Sequence, residues 1–579
     1  MQKWINPFAL IIIFCLGIIV YSNTFSCPFL FDDEGYIVRN FAIQNIHHLL
    51  DIWKFYPCRF VTFLSIADNY YFHQLNVFGY HVVNLGVHLV SAMLVWWLTF
   101  LTLSTPAMKE NKITPYAGFI ALFSGLVFVS HPVQVEAVTY ICQRAASLAT
   151  LFYMASLCFY VQSRLLQDAK PIPGPQGFYY ILSLLMAVVA MFTKEIAITL
   201  PVMILLYEFF FFETKRSQHW KHVFPFLFTL FIIPATMVFA KSEKFQLIHA
   251  IINGDGGGKP ISSMHYFLTE LRVSMTYIRL IFLPLNLNLD YDYPIFKSIF
   301  ELPVFIGFVS VITILFAAQR LFLKYRLLSF SIVFFFLALL PESSFLPFRD
   351  VIFEHRLYLP LVGYSMFLAG SAYYLIGKNN IKAMVIILTI IIAFYSVLTF
   401  QRNKVWRDVV VLWNDTIQKS PHKARPYINR GVAYSALGNF DRSMADLNKS
   451  IVLDPNFVEA YVARGFVYEK QGQSMRAIIE FTKALILDPV NLIAYYKRGM
   501  LFKKIGEFPH AIADFTKIIE LAPNDAGGYT GRGVVFSAQG NYTQATADFN
   551  KSIELDPDFA EAYQQREIAH TLLDGMSRR

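Results

Sequence analysis

The chain has 579 residues, of which 56% are hydrophobic, 17% aromatic and only 15% charged. A water-soluble globular protein is nearer about 45–50% apolar, so a wholly soluble chain is excluded. The formal net charge of +9 does not indicate a nucleic-acid partner, because many lysines and arginines flank apolar stretches, where they set topology, and no basic run is interleaved with aromatics.

The apolar excess lies between Pro7 and Phe400, and Gln401 to Arg579 has ordinary soluble composition. A polytopic membrane part, residues 1–402, is therefore expected ahead of a water-soluble one, residues 403–579. The first apolar stretch, 7–22, follows Met1-Gln2-Lys3-Trp4 and lacks a small-residue cleavage site, since Ser22-Asn23-Thr24 is a poor substitute. It reads as a retained anchor.

Next comes the acidic run Asp32-Asp33-Glu34. Carboxylates beside a bilayer are costly to desolvate and are usually functional. They are suited to take a proton from a hydroxyl as a general base, and an acidic loop or helix cap is the plainer explanation. Cys27 and Cys58 share this first loop and can pair in an oxidising compartment, whereas Cys15, Cys142 and Cys158 lie in apolar stretches as packing residues. No Cys or His spacing indicates zinc.

Stretches able to span continue at 79–101, 115–131, 137–161, 177–194, 196–212, 222–240, 302–319, 327–341, 356–376 and 381–400, eleven in all with the first. Lys109 and Lys112, Arg164 and Lys170, Lys215, Arg216 and Lys221, Arg320, Lys324 and Arg326, and Lys378 and Lys382 fall in alternate short loops. Placing those loops in the cytoplasm puts Lys3 there, and puts Asp32 and the C-terminal part on the other side; Arg402, Lys404 and Arg407 are a mild counter-signal. The segment Leu268 to Leu285 carries Glu270, Arg272 and Arg279 and is expected to lie in the interface rather than span. The preceding Asn253-Gly254-Asp255-Gly256-Gly257-Gly258 reads as a flexible loop without the strand–helix context of a phosphate-binding loop.

The soluble part repeats every 34 residues: Pro421, Pro455, Pro489, Pro523 and Pro557, and Tyr427, Tyr461, Tyr495, Tyr529 and Tyr563. Arg430-Gly431, Arg464-Gly465, Arg498-Gly499 and Arg532-Gly533 keep the same step, and Gly438, Gly472, Gly506 and Gly540 mark turns. This is the tetratricopeptide pattern. It predicts four full repeats from Ala424 to Pro557, a half-repeat helix near Trp406 to Ser420 and a capping helix from Phe559. Asp446, Glu480, Asp514 and Asp548 are expected to pair with the repeated arginines inside the stack. Such solenoids bind extended peptides on a concave face. The positions expected there, Arg425, Glu459, Phe466, Tyr496, Met500 and Lys503, are mixed in character and name no ligand.

Polar motifs recur near the predicted outer ends of spans: Arg59, Asn69-Tyr70, Gly79-Tyr80-His81 with Asn84 and His88, His131-Pro132 with Glu136, Arg144, Lys194-Glu195 and Glu354-His355-Arg356. Singly they are unremarked: a core histidine at 88, a local ion pair at 194–195, a snorkelling Arg144. Together, acids and cations at one membrane surface suit a reaction between an anionic lipid and a neutral nucleophile.

These motifs resemble a known family. Phe31-Asp32-Asp33, the run from Arg59-x-x-Thr62 through Asn69-Tyr70 and Gly79-Tyr80-His81-x-x-Asn84 to His88, His131-Pro132-x-x-x-Glu136-Ala137-Val138, Lys194-Glu195 with Leu200-Pro201 and Glu208, Glu354-x-Arg356-x-Tyr358-Leu359-Pro360, and Trp406 with Leu412-Trp413 ahead of repeats are similar to the signature of the transmembrane and tetratricopeptide-repeat-containing O-mannosyltransferases and their bacterial relatives. The chain departs from that pattern at Arg59-Phe60, where Arg-Pro is usual, at the third acid Glu34, and at Ala145-Ala146.

The resemblance implies an all-α, GT-C-like transmembrane domain and a solenoid, and an inverting glycosyltransferase that moves a sugar, mannose in the family, from a polyprenyl-phosphate donor to a hydroxyl of a protein. Asp32 would be the base, with Asp33 or Glu34 orienting acceptor or base. Arg356 and Arg59, then Arg144 and Lys194, would hold the leaving phosphate, with His131 and Glu354 completing the donor site. No metal or other cofactor is expected, since a monophosphate lipid leaves unaided, although acid pairs can bind divalent cations. The repeats would hold the protein acceptor on the non-cytoplasmic side, and no nucleic acid is involved. The alternative is a membrane-anchored repeat scaffold without catalysis; a transporter would want charges deep within spans and internal symmetry.

Overall fold

The computed structural model describes residues 7–169, 175–212, 216–239, 261–348 and 350–577. Lys3, Lys170, Lys215 and the glycine-rich stretch Asn253 to Gly258 lie outside the described residues. All regular elements among those described are helices. The chain forms two compact units, Met1–Ser420 and Pro421–Arg579.

Among the described residues of the first unit five helices are long and apolar enough to cross a bilayer: Val77–Leu103, Ile141–Gln167, Trp220–Val238, Leu302–Leu321 and Ile381–Trp406. A sixth candidate is broken, with Thr114–Ser130 and Pro132–Thr139 meeting at a 50° bend. Pro7–Val20, Gln176–Met191 and Arg326–Leu339 are apolar but shorter. Against the eleven apolar stretches read from the sequence, the described residues thus hold five helices of full spanning length, or six with the bent pair, and several shorter apolar ones. The polar motifs cut the apolar stretches. At His131-Pro132 the proline lacks an amide for the helix ladder, and the His131 ring accepts the Val133 amide instead, at 3.3 Å. Lys194 precedes a short 3-10 turn, Glu195–Thr199, and only then the 12-residue helix Leu200–Phe211. The turn Glu354–Leu357 likewise stands ahead of the helix Pro360–Ala372.

The segment expected to lie in the interface is the helix Ser263–Phe282. One face is buried inside the protein, from Tyr266 through Glu270 to Ile281. Glu270 escapes lipid by burial against Arg356, whose Nη1 lies 3.6 Å from its Oε1.

The boundary between the units also differs from the expected 402/403. The last long helix runs on to Trp406, and the helix Val409–Lys419 belongs to the first unit rather than to a half-repeat. The cause is burial: Trp406, Leu412 and Trp413 pack with Cys27, Leu30, Val135, Tyr140 and Leu289. Arg402 adds an ion pair to Asp415 at 2.6 Å.

The second unit is four helix pairs, beginning with Ala424–Ala436 and Phe440–Leu453 and ending with Ala526–Ala538 and Tyr542–Leu555, followed by Ala560–Ser577. Gly438, Gly472, Gly506 and Gly540 turn each pair at φ of +75° to +83°, a conformation costly for residues with a Cβ. Arg430, Arg464, Arg498 and Arg532 pair with Asp446, Glu480, Asp514 and Asp548 at 2.6–2.8 Å. The remaining nitrogen of Arg464, Arg498 and Arg532 reaches Asn448, Thr482 and Thr516 of the preceding repeat. Each of these three arginines thus ties two repeats together, a structural use of charge.

Candidate active site

The acidic run is divided by its backbone. Phe31 has φ of +49°, a left-handed conformation that is uncommon for an aromatic residue, so the chain turns sharply at the motif. Asp33 is fully buried. Its Oδ2 accepts the Leu30 amide at 3.0 Å and its Oδ1 the Cys142 amide at 2.7 Å. Burial pushes the Asp33 carboxyl up to about 7, with those two amides opposing and Asp32 adding to the rise. Asp32 is half-buried, and its amide donates to the Tyr140 hydroxyl at 2.9 Å. Glu34 turns outward and pairs with Arg39 at 2.8 Å. The three acids therefore occupy three environments: a half-buried carboxylate, a locked one and a solvated one.

Arg59 lies in the next segment. Its Nε and Nη2 hold Glu195 at 3.2 and 2.9 Å, and the pair is about a quarter exposed on each side, 27% and 27%. The guanidinium lies over the Tyr56 ring, 4.9 Å from its centre. Tyr36 joins this group to Asp32: burial pushes its hydroxyl above the ordinary range, Arg59 opposes, and Asp32 and Glu195 add to the rise.

A second group is buried. Lys194 Nζ is 2.8 Å from Glu342 Oε1. Arg356 is firmly held: its two terminal nitrogens donate to the carbonyls of Glu342, Val351 and Asp350 and to the Tyr266 hydroxyl. The Glu136 carboxylate gathers the turn that bears Arg356, accepting the Glu354 amide at 2.9 Å and His355 Nδ1 at 2.7 Å. The His355 ring stands in the combined field of Lys194, Glu342, Arg356 and Arg59, so the two groups are electrically one neighbourhood.

Two predicted residues are committed to the protein's own backbone and side chains. His131 is buried, accepts the Val133 amide and meets the Ile281 carbonyl at 2.9 Å, so its ring closes the break in the helix. Arg144 is buried and bound to Asn84 Oδ1 and to the carbonyls of Ser65 and Tyr80. His88, read as a core histidine, meets the Tyr358 hydroxyl and the Val129 carbonyl. Cys58 meets the Thr236 hydroxyl, and both Cys27 and Cys58 are free thiols. Glu342, Tyr36, Tyr56 and Tyr140 escaped the sequence reading. Glu342 had a signal, a lone carboxylate closing the apolar stretch 327–341; the tyrosines had none among 32.

The TPR repeat family matches residues 431–472, and the Tetratricopeptide repeat family matches 492–525 and 526–559. A protein O-mannosyl-transferase of Caenorhabditis elegans is 25% identical over 73% of this chain and 59% of its own length. The protein O-mannosyl-transferases Tmtc3 of Drosophila melanogaster and TMTC3 of Homo sapiens are 25% and 23% identical over 78% and 73% of this chain, and 55% and 49% of their own length. The chain is similar to proteins named protein O-mannosyl-transferases. It spans about half the length of these curated relatives. It is a membrane protein with tetratricopeptide repeats.

Proposed function

We propose that the chain is a membrane glycosyltransferase that moves a sugar, mannose by similarity to its relatives, from a polyprenyl phosphate to a serine or threonine hydroxyl of a protein. The observation that carries this reading is the division of labour in the acidic loop: Asp33 gives both oxygens to backbone amides, which fixes the loop while Asp32 stays half-buried, its amide on the Tyr140 hydroxyl and its carbonyl on the Tyr36 amide. Asp32 takes the proton of the acceptor hydroxyl. The oxygen bonds to the anomeric carbon as the bond from that carbon to the phosphate oxygen breaks. The lipid phosphate leaves with the electron pair from the opposite face, inverting the stereochemistry.

Negative charge grows on the leaving oxygen, and a cation must meet it. Arg59 suits this best, because it is the partly exposed cation of the neighbourhood and its fork matches phosphate oxygens. Arg356 and Lys194, buried and bonded to protein, set the field from behind, and Glu354 holds the turn. Arg144 and His131 serve the scaffold, and Glu34 the surface. No metal is invoked, since the Asp33 oxygens are committed to amides and Glu34 to Arg39. The repeats bind the protein acceptor and raise its local concentration, and they and the acidic loop face the non-cytoplasmic side, as the placement of lysines and arginines indicates.

The test is Asp32→Asn in the full chain, in lipid nanodiscs with polyprenyl-phosphate mannose and a Ser/Thr-rich protein. Transfer is expected to fall on the order of 10²–10⁴-fold. Full turnover by an inserted, folded variant rejects the assignment.

A further inference from the structure

Residues 283–301 join the helices Ser263–Phe282 and Leu302–Leu321 without regular secondary structure. Yet Leu287, Asn288, Leu289 and Asp290 are buried. A buried irregular segment must find partners for its polar groups outside itself. This strap finds them on two sides. On one side the Asn288 amide and the Tyr291 hydroxyl both donate to Glu354 Oε1, at 2.5 and 2.6 Å. On the other, the Ser420 hydroxyl oxygen accepts Asn288 Nδ2 at 2.8 Å and the Asp292 amide at 2.9 Å. Lys419 adds a bond from its ammonium to the Leu287 carbonyl at 2.6 Å, and is itself held by Asp415.

Asn288 therefore works in two directions, its backbone on the acid of the site and its side chain on Ser420. Asn286, at φ of +59°, sets the bend that allows this, and asparagine tolerates that conformation better than most residues. Ser420 is 1% exposed and is the last residue of the first unit. Glu354 is then fixed twice, through its carboxylate by the strap and through its amide by Glu136. The turn it begins carries His355 and Arg356.

We propose that Ser420, Asn288 and Tyr291 are positioning residues, which set the Glu354–Leu357 turn of the candidate active site through the strap. The activity arm of the test rests on the transferase reading; the exchange arm does not. The full chain in nanodiscs is compared as wild type, Ser420→Ala, Ser420→Thr and Tyr291→Phe by hydrogen–deuterium exchange. Losing the two bonds to Ser420 is expected to speed exchange about tenfold at 286–292 and at 354–356, with the Leu30 and Cys142 amides unchanged. Ser420→Thr restores protection, and Tyr291→Phe, which deletes one hydroxyl, shows the same pattern more weakly. In the transfer assay, Ser420→Ala lowers kcat about tenfold with KM for the acceptor within about twofold. Faster exchange confined to the strap, or none anywhere, overturns the proposal. Inactive wild type alone counts against the transferase reading, and the exchange result still decides this one.

Discussion

Asp33→Asn is the most informative single change. The Asp33 carboxyl is buried and pushed up to about 7 from an ordinary 3.8. Its folded value is raised, so its contribution to stability is full below about pH 4 and is lost as the pH climbs to about 7, where the folded protein at last releases the proton. At about 1.4 kcal/mol per pH unit, that loss approaches about 4 kcal/mol. Asparagine never ionises and escapes it. It also gives up one acceptor and leaves either the Leu30 or the Cys142 amide without a partner, a cost of about 1–3 kcal/mol at every pH. The variant should be weaker than wild type below about pH 4, roughly level with it at pH 5 and stronger by about 1–3 kcal/mol at pH 8. Their difference should move by about 3 kcal/mol over that interval, almost all of it before pH 7. Protection of the Leu30 and Cys142 amides, corrected for intrinsic exchange, reads this directly. A difference that stays flat from pH 5 to pH 8 refutes the reasoning, since it means that the amide bonds outweigh burial and the carboxylate is ionised throughout.

On the proposed role of Arg59, Arg59→Met should cost transfer on the order of 10²–10³-fold, with the thermal transition lowered far less than by Arg356→Met, because Glu195, which loses its partner, keeps access to solvent. Arg356→Met should instead lower stability by about 3–5 kcal/mol, since it strands Glu270 and three carbonyls inside the protein; activity and melting are measured side by side. In the repeats, Arg498→Met leaves Asp514 buried without its 2.7 Å partner. It should cost about 2–4 kcal/mol in a urea or thermal series, with much of that recovered by adding Asp514→Leu. Gly472→Ala, at φ of +75°, should cost about 1 kcal/mol by the same measurement.

The repeats were almost wholly legible in the sequence. A 34-residue period is a local code: each glycine answers a turn, and each arginine finds its acid sixteen residues on, within one helix pair. The acidic loop, Arg59 and the Glu354–Arg356 turn were legible as chemistry, because ionisable groups amid apolar stretches are rare and costly. Their individual roles were not. Asp32, Asp33 and Glu34 are neighbours of like charge on paper, and only folding decides that one is locked to Leu30 and Cys142 while another reaches Arg39.

Composition and period alone determined a membrane part, an all-helical class and a tetratricopeptide solenoid, because those properties depend on hydrophobic free energy and on contacts between residues close in the chain. Tertiary structure alone decided where apolar stretches break into shorter helices, that Trp406, Leu412 and Trp413 draw residues 403–420 into the first unit, and which carboxylate faces which cation. Those outcomes depend on partners that are remote in sequence. Asp33 meets Cys142 across 109 positions and Asn288 meets Ser420 across 132, and desolvation at such meetings, rather than residue type, sets what each group can do.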